Sequence, residues 1–171
     1  MQKFKSVVGL PVVCIENGKK VGRVGDIIFS TVSKGVQAFV LEKKGVEFCR
    51  KAIAVEDIVN LGDDAVIVND VTCIKKVHKK ELTNSRELHG LHIYTKDGRD
   101  LGVIKDILFD YKNATIEAFE ISDGVISDVF TGRRIVPLFG KVEFGEDSIL
   151  ISDEALEEIT ATGGGIKNRL K

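Results

Sequence analysis

The chain repeats itself. Residues 22–29, Gly-Arg-Val-Gly-Asp-Ile-Ile-Phe, and residues 102–109, Gly-Val-Ile-Lys-Asp-Ile-Leu-Phe, share the pattern Gly-x-[Val/Ile]-x-Asp-Ile-x-Phe at an offset of 102 − 22 = 80. The same offset carries Gly18 to Gly98, Val36 to Ile116, Ala38 to Ala118, Phe39 to Phe119 and Leu41 to Ile121. Upstream, Gly9-Leu10 matches Gly90-Leu91 at 81; downstream, Gly62-Asp63-Asp64-Ala65-Val66-Ile67 matches Gly145-Glu146-Asp147-Ser148-Ile149-Leu150 at 83. The downstream change in offset falls near Phe130-Thr131-Gly132, a turn, where surface loops tolerate insertion. Such a period limits the fold: each copy has roughly 65 to 70 residues with which to close a core of its own. Residues 1–70 are therefore expected to form a first small domain and residues 85–152 a second. Residues 71–84 join them, and residues 153–171 supply a short helix and a tail.

Within each copy the local signals are those of strands. Asn17-Gly18 and Asp97-Gly98 are the strongest short hairpin signals, and a type I′ turn is expected at each, with φ > 0 at both central residues. The β-branched and aromatic runs Asp26 to Phe29 and Val36 to Leu41 are separated by Ser33-Lys34-Gly35; in the second copy the separator is Lys112-Asn113-Ala114. Ile53-Ala54-Val55, Val136-Pro137-Leu138, Ala65 to Val68 and Ser148 to Ile151 complete the set. Many short strands with sequential pairing predict an all-β fold, two tandem small barrels with a short C-terminal helix. Helical signals lie at the edges: Ser85 opens one turn through Leu88, and Ser152 or Asp153 caps a helix through Ile159 before Gly163-Gly164-Gly165.

Barrels of this size leave little interior for chemistry. Ile27, Phe29, Phe39 and Leu41, with Ile107, Phe109, Phe119 and Ile121, are the expected core. Asp26 and Asp106 share strand parity with apolar neighbours and need partners; backbone N–H groups or a β-bulge supply them, and Gly22, Asp26, Gly102 and Asp106 form a structural motif. His89 and His92 flank Gly90 without a third ligand, and no nucleophile–base pattern exists, so no catalytic residue, metal site or cofactor is assigned. Cys14, Cys49 and Cys73 are an odd number without CxxC spacing, expected to be reduced thiols. Gly163-Gly164-Gly165 follows a helix instead of opening one, unlike a phosphate cradle.

Charge excludes little globally: 25 basic against 26 acidic residues give a net charge of −1. Locally, residues 71–84 hold Lys75, Lys76, Lys79 and Lys80 against Glu81, a run able to contact phosphates of RNA or of a lipid surface. No apolar run approaches the roughly 20 residues of a membrane span. The longest, around Val7 to Ile15, is broken by Gly9 and Pro11. No cleavage site follows the N-terminus, and the expected location is cytoplasmic.

Gly9-Leu10-Pro11-Val12, Asn17-Gly18, Gly22, Asp26-Ile27, Ile53-Ala54-Val55 and Gly62-Asp63-Asp64 together resemble the PRC-barrel domain. Ser85-Arg86-Glu87-Leu88-His89-Gly90-Leu91, Tyr94, Asp97-Gly98, Leu101-Gly102, Asp106 and Phe109 resemble it more closely still. The family includes the cytoplasmic barrel of the photosynthetic reaction-centre H subunit and the C-terminal domain of the ribosome maturation factor. The resemblance implies a docking surface without catalytic residues. This chain has neither the transmembrane helix of the former nor an evident RNA-binding partner domain of the latter, and is most similar to standalone tandem bacterial members. The expectation is a non-enzymatic adaptor that docks a protein partner, in ribosome assembly or RNA processing. The alternatives are an RNA- or membrane-surface binder acting through the basic run, and a small-ligand or metal-binding barrel; homo-oligomers are open.

Overall fold

The computed structural model describes residues 1–30, 33–42, 50–77, 83–122, 134–138 and 142–152. Among the described residues the fold is all-β apart from single helical turns, and the chain divides into two compact units. One comprises Gln2–Arg86 with Asp110–Thr115; the other comprises Met1, Glu87–Phe109 and the described part of Ile116–Lys171. The C-terminal helix expected after Ser152 and the triple glycine lie outside the described residues.

In the first unit a short strand β1 (Gln2–Lys3) leads into a helical turn α1 (Phe4–Val7), then β2 (Pro11–Cys14), β3 (Lys20–Ser30), β4 (Gly35–Leu41) and β5 (Arg50–Ala54). A 3-10 turn (Val55–Asp57), β6 (Ile58–Leu61), β7 (Val66–Val68), a second 3-10 turn (Val71–Cys73), β8 (Ile74–Val77) and β9 (Thr83–Asn84) follow. Hydrogen bonding orders the strands β6-β7-β2-β3-β4-β5-β8. All these pairs are antiparallel except β2 with β7, where Val12, Val13 and Cys14 lie beside Val66, Ile67 and Val68.

The second unit repeats the plan. A helical turn α2 (Ser85–Leu88), whose first two residues fall in the first unit, precedes β10 (His92–Thr95), β11 (Asp100–Asp110), β12 (Thr115–Ser122), β13 (Arg134–Pro137), β14 (Val142–Phe144) and β15 (Ser148–Ile151). Here too the first long strand pair is antiparallel, and β10 lies parallel to β15 as β2 does to β7.

Alternation accounts for the core at β2 and β7, whereas Asp26 to Phe29 in β3 and Phe39 to Leu41 in β4 are buried at both parities, and Ile28, Val40 and Ala52 pack as a cluster. Val12, Phe39, Ile53, Val66 and Val68 are fully buried, as are Ile93, Ile104, Phe119, Ile149 and Ile151. Phe29 and Phe109 are nearly so. The core expected from the repeat is the core found: Ile27, Phe29, Phe39 and Leu41, and Ile107, Phe109, Phe119 and Ile121, are all buried. A β-bulge between Val24 and Asp26 in the β3–β4 pairing carries the long strand around this core.

The hairpin turns differ from the type I′ expectation. Gly18 (φ 65°) and Gly98 (φ 87°) take positive φ, but Asn17 and Asp97 do not. The connections run over residues 15–19 and 96–99, longer than a two-residue loop, and close by Gly18 N–H to the Cys14 carbonyl (2.9 Å) and Gly98 N–H to the Thr95 carbonyl (3.0 Å). Only one left-handed residue is then needed.

Candidate functional site

The paired aspartates sit where the motif placed them, inside the sheet. Asp26 and Asp106 are buried, and Oδ1 of each accepts the N–H of the next residue, Ile27 or Ile107, at 2.9 Å. Gly22 lies opposite Val12 and Gly102 opposite Ile93. A Cβ on Gly22 would stand 3.1 Å from Leu41 Cδ1, and Gly102 holds φ 117°, so each admits the strand crossing for its own reason. Asp26, Gly102 and Asp106 are buried and Gly22 is half-buried.

The histidines separate. His89 is exposed beside α2, whereas His92 Nδ1 lies 3.0 Å from Asp100 Oδ2 on the outer surface of β10 and β11. The other oxygen of Asp100 accepts the Gly102 N–H (2.8 Å), and the imidazole stacks on Tyr94 with ring centroids 5.7 Å apart. The carboxylate thus fixes the imidazole's orientation, but among the described residues no three His, Cys, Asp or Glu side chains gather as a metal-binding group.

Cys14 is buried and its thiol donates to the Asn69 carbonyl at 3.1 Å; Cys73 donates to the Asp70 carbonyl at 2.9 Å. Burial pushes the Cys73 thiol up, and the nearby Asp57 and Asp70 carboxylates add to it, which disfavours a reactive thiolate. Cys49 lies outside the described residues.

The basic run is partly a strand. Lys75 and Lys76 belong to β8, both exposed, with Lys76 directly opposite Lys51 on β5 and Lys75 opposite Ala52. Lys79 and Lys80 lie outside the described residues.

An open cleft of about 410 Å³ is lined by Val55, Glu56, Ile58, Val59, Tyr111 and Lys112 with Ala114. Every lining residue belongs to the first unit, whose Tyr111 hydroxyl donates to Asn60 Oδ1 at 3.1 Å. The floor is mainly apolar, with one carboxylate and one ammonium at its walls.

Sequence reasoning missed the outward positions of β2: Pro11 and Val13 are half-buried and Ile15 is 57% exposed. The signal was present, because Leu10-Pro11-Val12-Val13-Cys14-Ile15 is apolar at both parities whereas a strand with one wet face alternates.

No helix among the described residues is long and apolar enough to cross a membrane. A comparison with curated proteins finds the uncharacterized protein YrrD of Bacillus subtilis (strain 168), 22% identical over 147 residues, covering 85% of this chain and 84% of that protein. A profile of the PRC-barrel domain matches residues 1–72 and again 81–157. With two matched segments spanning most of its length and two units of matching plan, the chain belongs to the PRC-barrel family.

Proposed function

We propose that the chain is a cytoplasmic, non-catalytic binding module that acts through its surface by docking another protein, in ribosome assembly or RNA processing. The observation that carries this reading is the occupied interior. Phe29, Phe39 and Ile53 in the first unit, and Phe109, Phe119 and Ile93 in the second, fill the space between strands, and the buried Asp26 and Asp106 bond to backbone amides beside them. A domain that spends its interior on its own side chains recognises partners with its outside. Photo-crosslinked affinity capture of the full chain from native lysate at low and high salt tests it. A defined protein retained at high salt is expected; a capture with no enriched protein overturns the reading.

The cations of β5 and β8 favour a second reading, contact with the phosphates of RNA or an anionic membrane. Lys51 and Lys76 lie opposite each other across the ladder with Lys75 adjacent, three exposed cations close together at which the phosphates of a polyanion would be attracted. This reading predicts salt-sensitive binding that weakens when Lys51, Lys75 and Lys76 become Gln; binding indifferent to those changes removes it.

A further inference from the structure

The outward face of β2 in the first unit is apolar along its whole length. Pro11 and Val13 alternate with the buried Val12 and Cys14, and Ile15 continues the outward row. On one side β7 brings Ile67, half-buried, beside Val13, while its neighbours Val66 and Val68 face the core. On the other side β3 sets Arg23 opposite Pro11 and Lys20 opposite Val13, and Lys19 stands in the adjoining turn. Arg23 is held along this margin by a hydrogen bond from its guanidinium to the Gly9 carbonyl (2.7 Å). The surface is therefore a strip of four apolar side chains with three exposed cations on one flank, and Glu16 is the carboxylate in the turn next to Ile15.

The second unit has the same backbone plan and a different surface. By register, His92 stands where Pro11 does, Tyr94 where Val13 does, Leu150 where Ile67 does, and Asp100 where Lys20 does. Lys96 replaces Ile15 at the offset of 81 that relates these strands. The apolar strip is thus not a requirement of the fold, since the second unit forms the same strand pairs with His92, Tyr94 and Lys96 there and keeps only Leu150 as an aliphatic residue.

We propose that this strip is a docking face whose occupant is an acidic, apolar segment of another protein. The proposal rests on the docking reading above and names its surface and its partner. Contiguous apolar surface marks interaction sites where single exposed residues do not. Three of the four side chains are half-buried, too recessed to enter a bilayer interface by the roughly 5–10 Å that membrane-surface elements reach. The strip also carries no aromatic ring on which the bases of a single-stranded nucleic acid would stack. Apolar side chains of a polypeptide segment can cover the strip, with carboxylates along its margin meeting Lys19, Lys20 and Arg23.

A random peptide library displayed against the full chain tests this. Enriched peptides are expected to combine apolar residues with Asp or Glu, and to lose at least about ten-fold in affinity on Ile15→Asp. Leu150→Asp, at the second unit's counterpart of Ile67, is expected to leave binding unchanged. Replacing Lys19, Lys20 and Arg23 by Gln should flatten the salt dependence. Ile15 is 57% exposed, so the variant is expected to fold, checked by an unchanged denaturation midpoint. Failure to enrich acidic, apolar sequences, or binding that survives Ile15→Asp, overturns the proposal. Sedimentation with phosphatidylserine–phosphatidylcholine vesicles that is abolished by Ile15→Asp also overturns it, in favour of a membrane. In the capture experiment, a partner that the Ile15→Asp chain retains excludes this face and leaves the docking reading standing. An empty capture with the unaltered chain removes both.

Discussion

Cys14 and Thr95 occupy the same buried place at the ends of matching strands, and they close their hairpins in different ways. The Cys14 thiol donates to Asn69, beyond β7, and the following Ile15 and Glu16 amides also bond to Val68 and Asn69. In the second unit the Thr95 hydroxyl donates to the Asp97 carboxylate and accepts the Arg99 N–H (3.0 Å), so the hairpin is tied within itself. The core positions Ile27, Phe29, Phe39 and Leu41 match Ile107, Phe109, Phe119 and Ile121 in kind, while the turns and the outward faces of β2 and β10 diverge. Burial explains the difference. A residue inside a small barrel is confined by its neighbours' volume, whereas a substitution at a turn or an outer face costs little and is free to acquire a separate role.

The interiors offer the largest test of that equivalence. Phe39→Ala and Phe119→Ala each remove a fully buried ring and are expected to cost about 3–5 kcal/mol in urea unfolding. A cost below about 1 kcal/mol in one unit alone would show that its core relaxes as the other does not. Next come the buried aspartates: Asp26→Ala and Asp106→Ala each remove the acceptor of a buried amide, an expected loss of about 1–3 kcal/mol. Asn, which keeps Oδ1, should cost less than Ala at both positions, and the ordering should be the same in the two units.

The second hairpin of each copy gives a smaller effect of opposite sign. Lys34 (φ 52°) and Ala114 (φ 54°) hold left-handed backbone at matching places. That conformation costs an L-residue about 1–2 kcal/mol, and the freedom Gly gains on unfolding returns part of it. Lys34→Gly and Ala114→Gly should each raise the denaturation midpoint by a net gain of no more than about 1 kcal/mol. A loss at Ala114 alone would indicate that its methyl group, which lines the cleft, stabilises the fold there.

The smallest effect concerns acid. The hydrogen bond from the Thr95 hydroxyl holds the Asp97 carboxyl below its ordinary value of 3.8, whereas the first unit has Asn17, which does not titrate, in the matching turn. A lowered folded-state pKa means that the carboxylate's contribution is complete above the ordinary value and fades as pH falls through the lowered one. Relative to intrinsic exchange, which itself slows with falling pH, the protection of amides in residues 95–99 should therefore drop on acidification below pH 3.8, with no matching change that traces to Asn17, and Asp97→Asn should remove the effect.

Much of this was legible in the chain. The repeat located both cores, and Asp26 stands at the β-bulge of the long strand β3. Two local features were not. The helical turn α1 begins after Lys3 with no side-chain cap, so nothing at its start announces a helix. The left-handed residue of the turn before β4 is Lys34, although Gly35 next to it is the residue whose type suggests that role.

The sequence alone located the core segments and half of their buried positions, Ile27, Phe29, Phe39 and Leu41 with their copies, because apolar runs are local and the duplication states them twice. That Ile28 and Val40 are buried on the opposite parity was decided by tertiary packing. Nor did the sequence determine which strands are neighbours. The parallel pairing of β2 with β7 and the addition of β8 to β5 join segments far apart in the chain, and only closure of the sheet around its core selects them. The apolar strip owes its existence to that choice: Ile67 joins Val13 across a non-local pair, while Lys20 arrives from the local hairpin on the other side. Period-two patterning fixes the side of the sheet a residue occupies; the tertiary fold fixes what stands next to it.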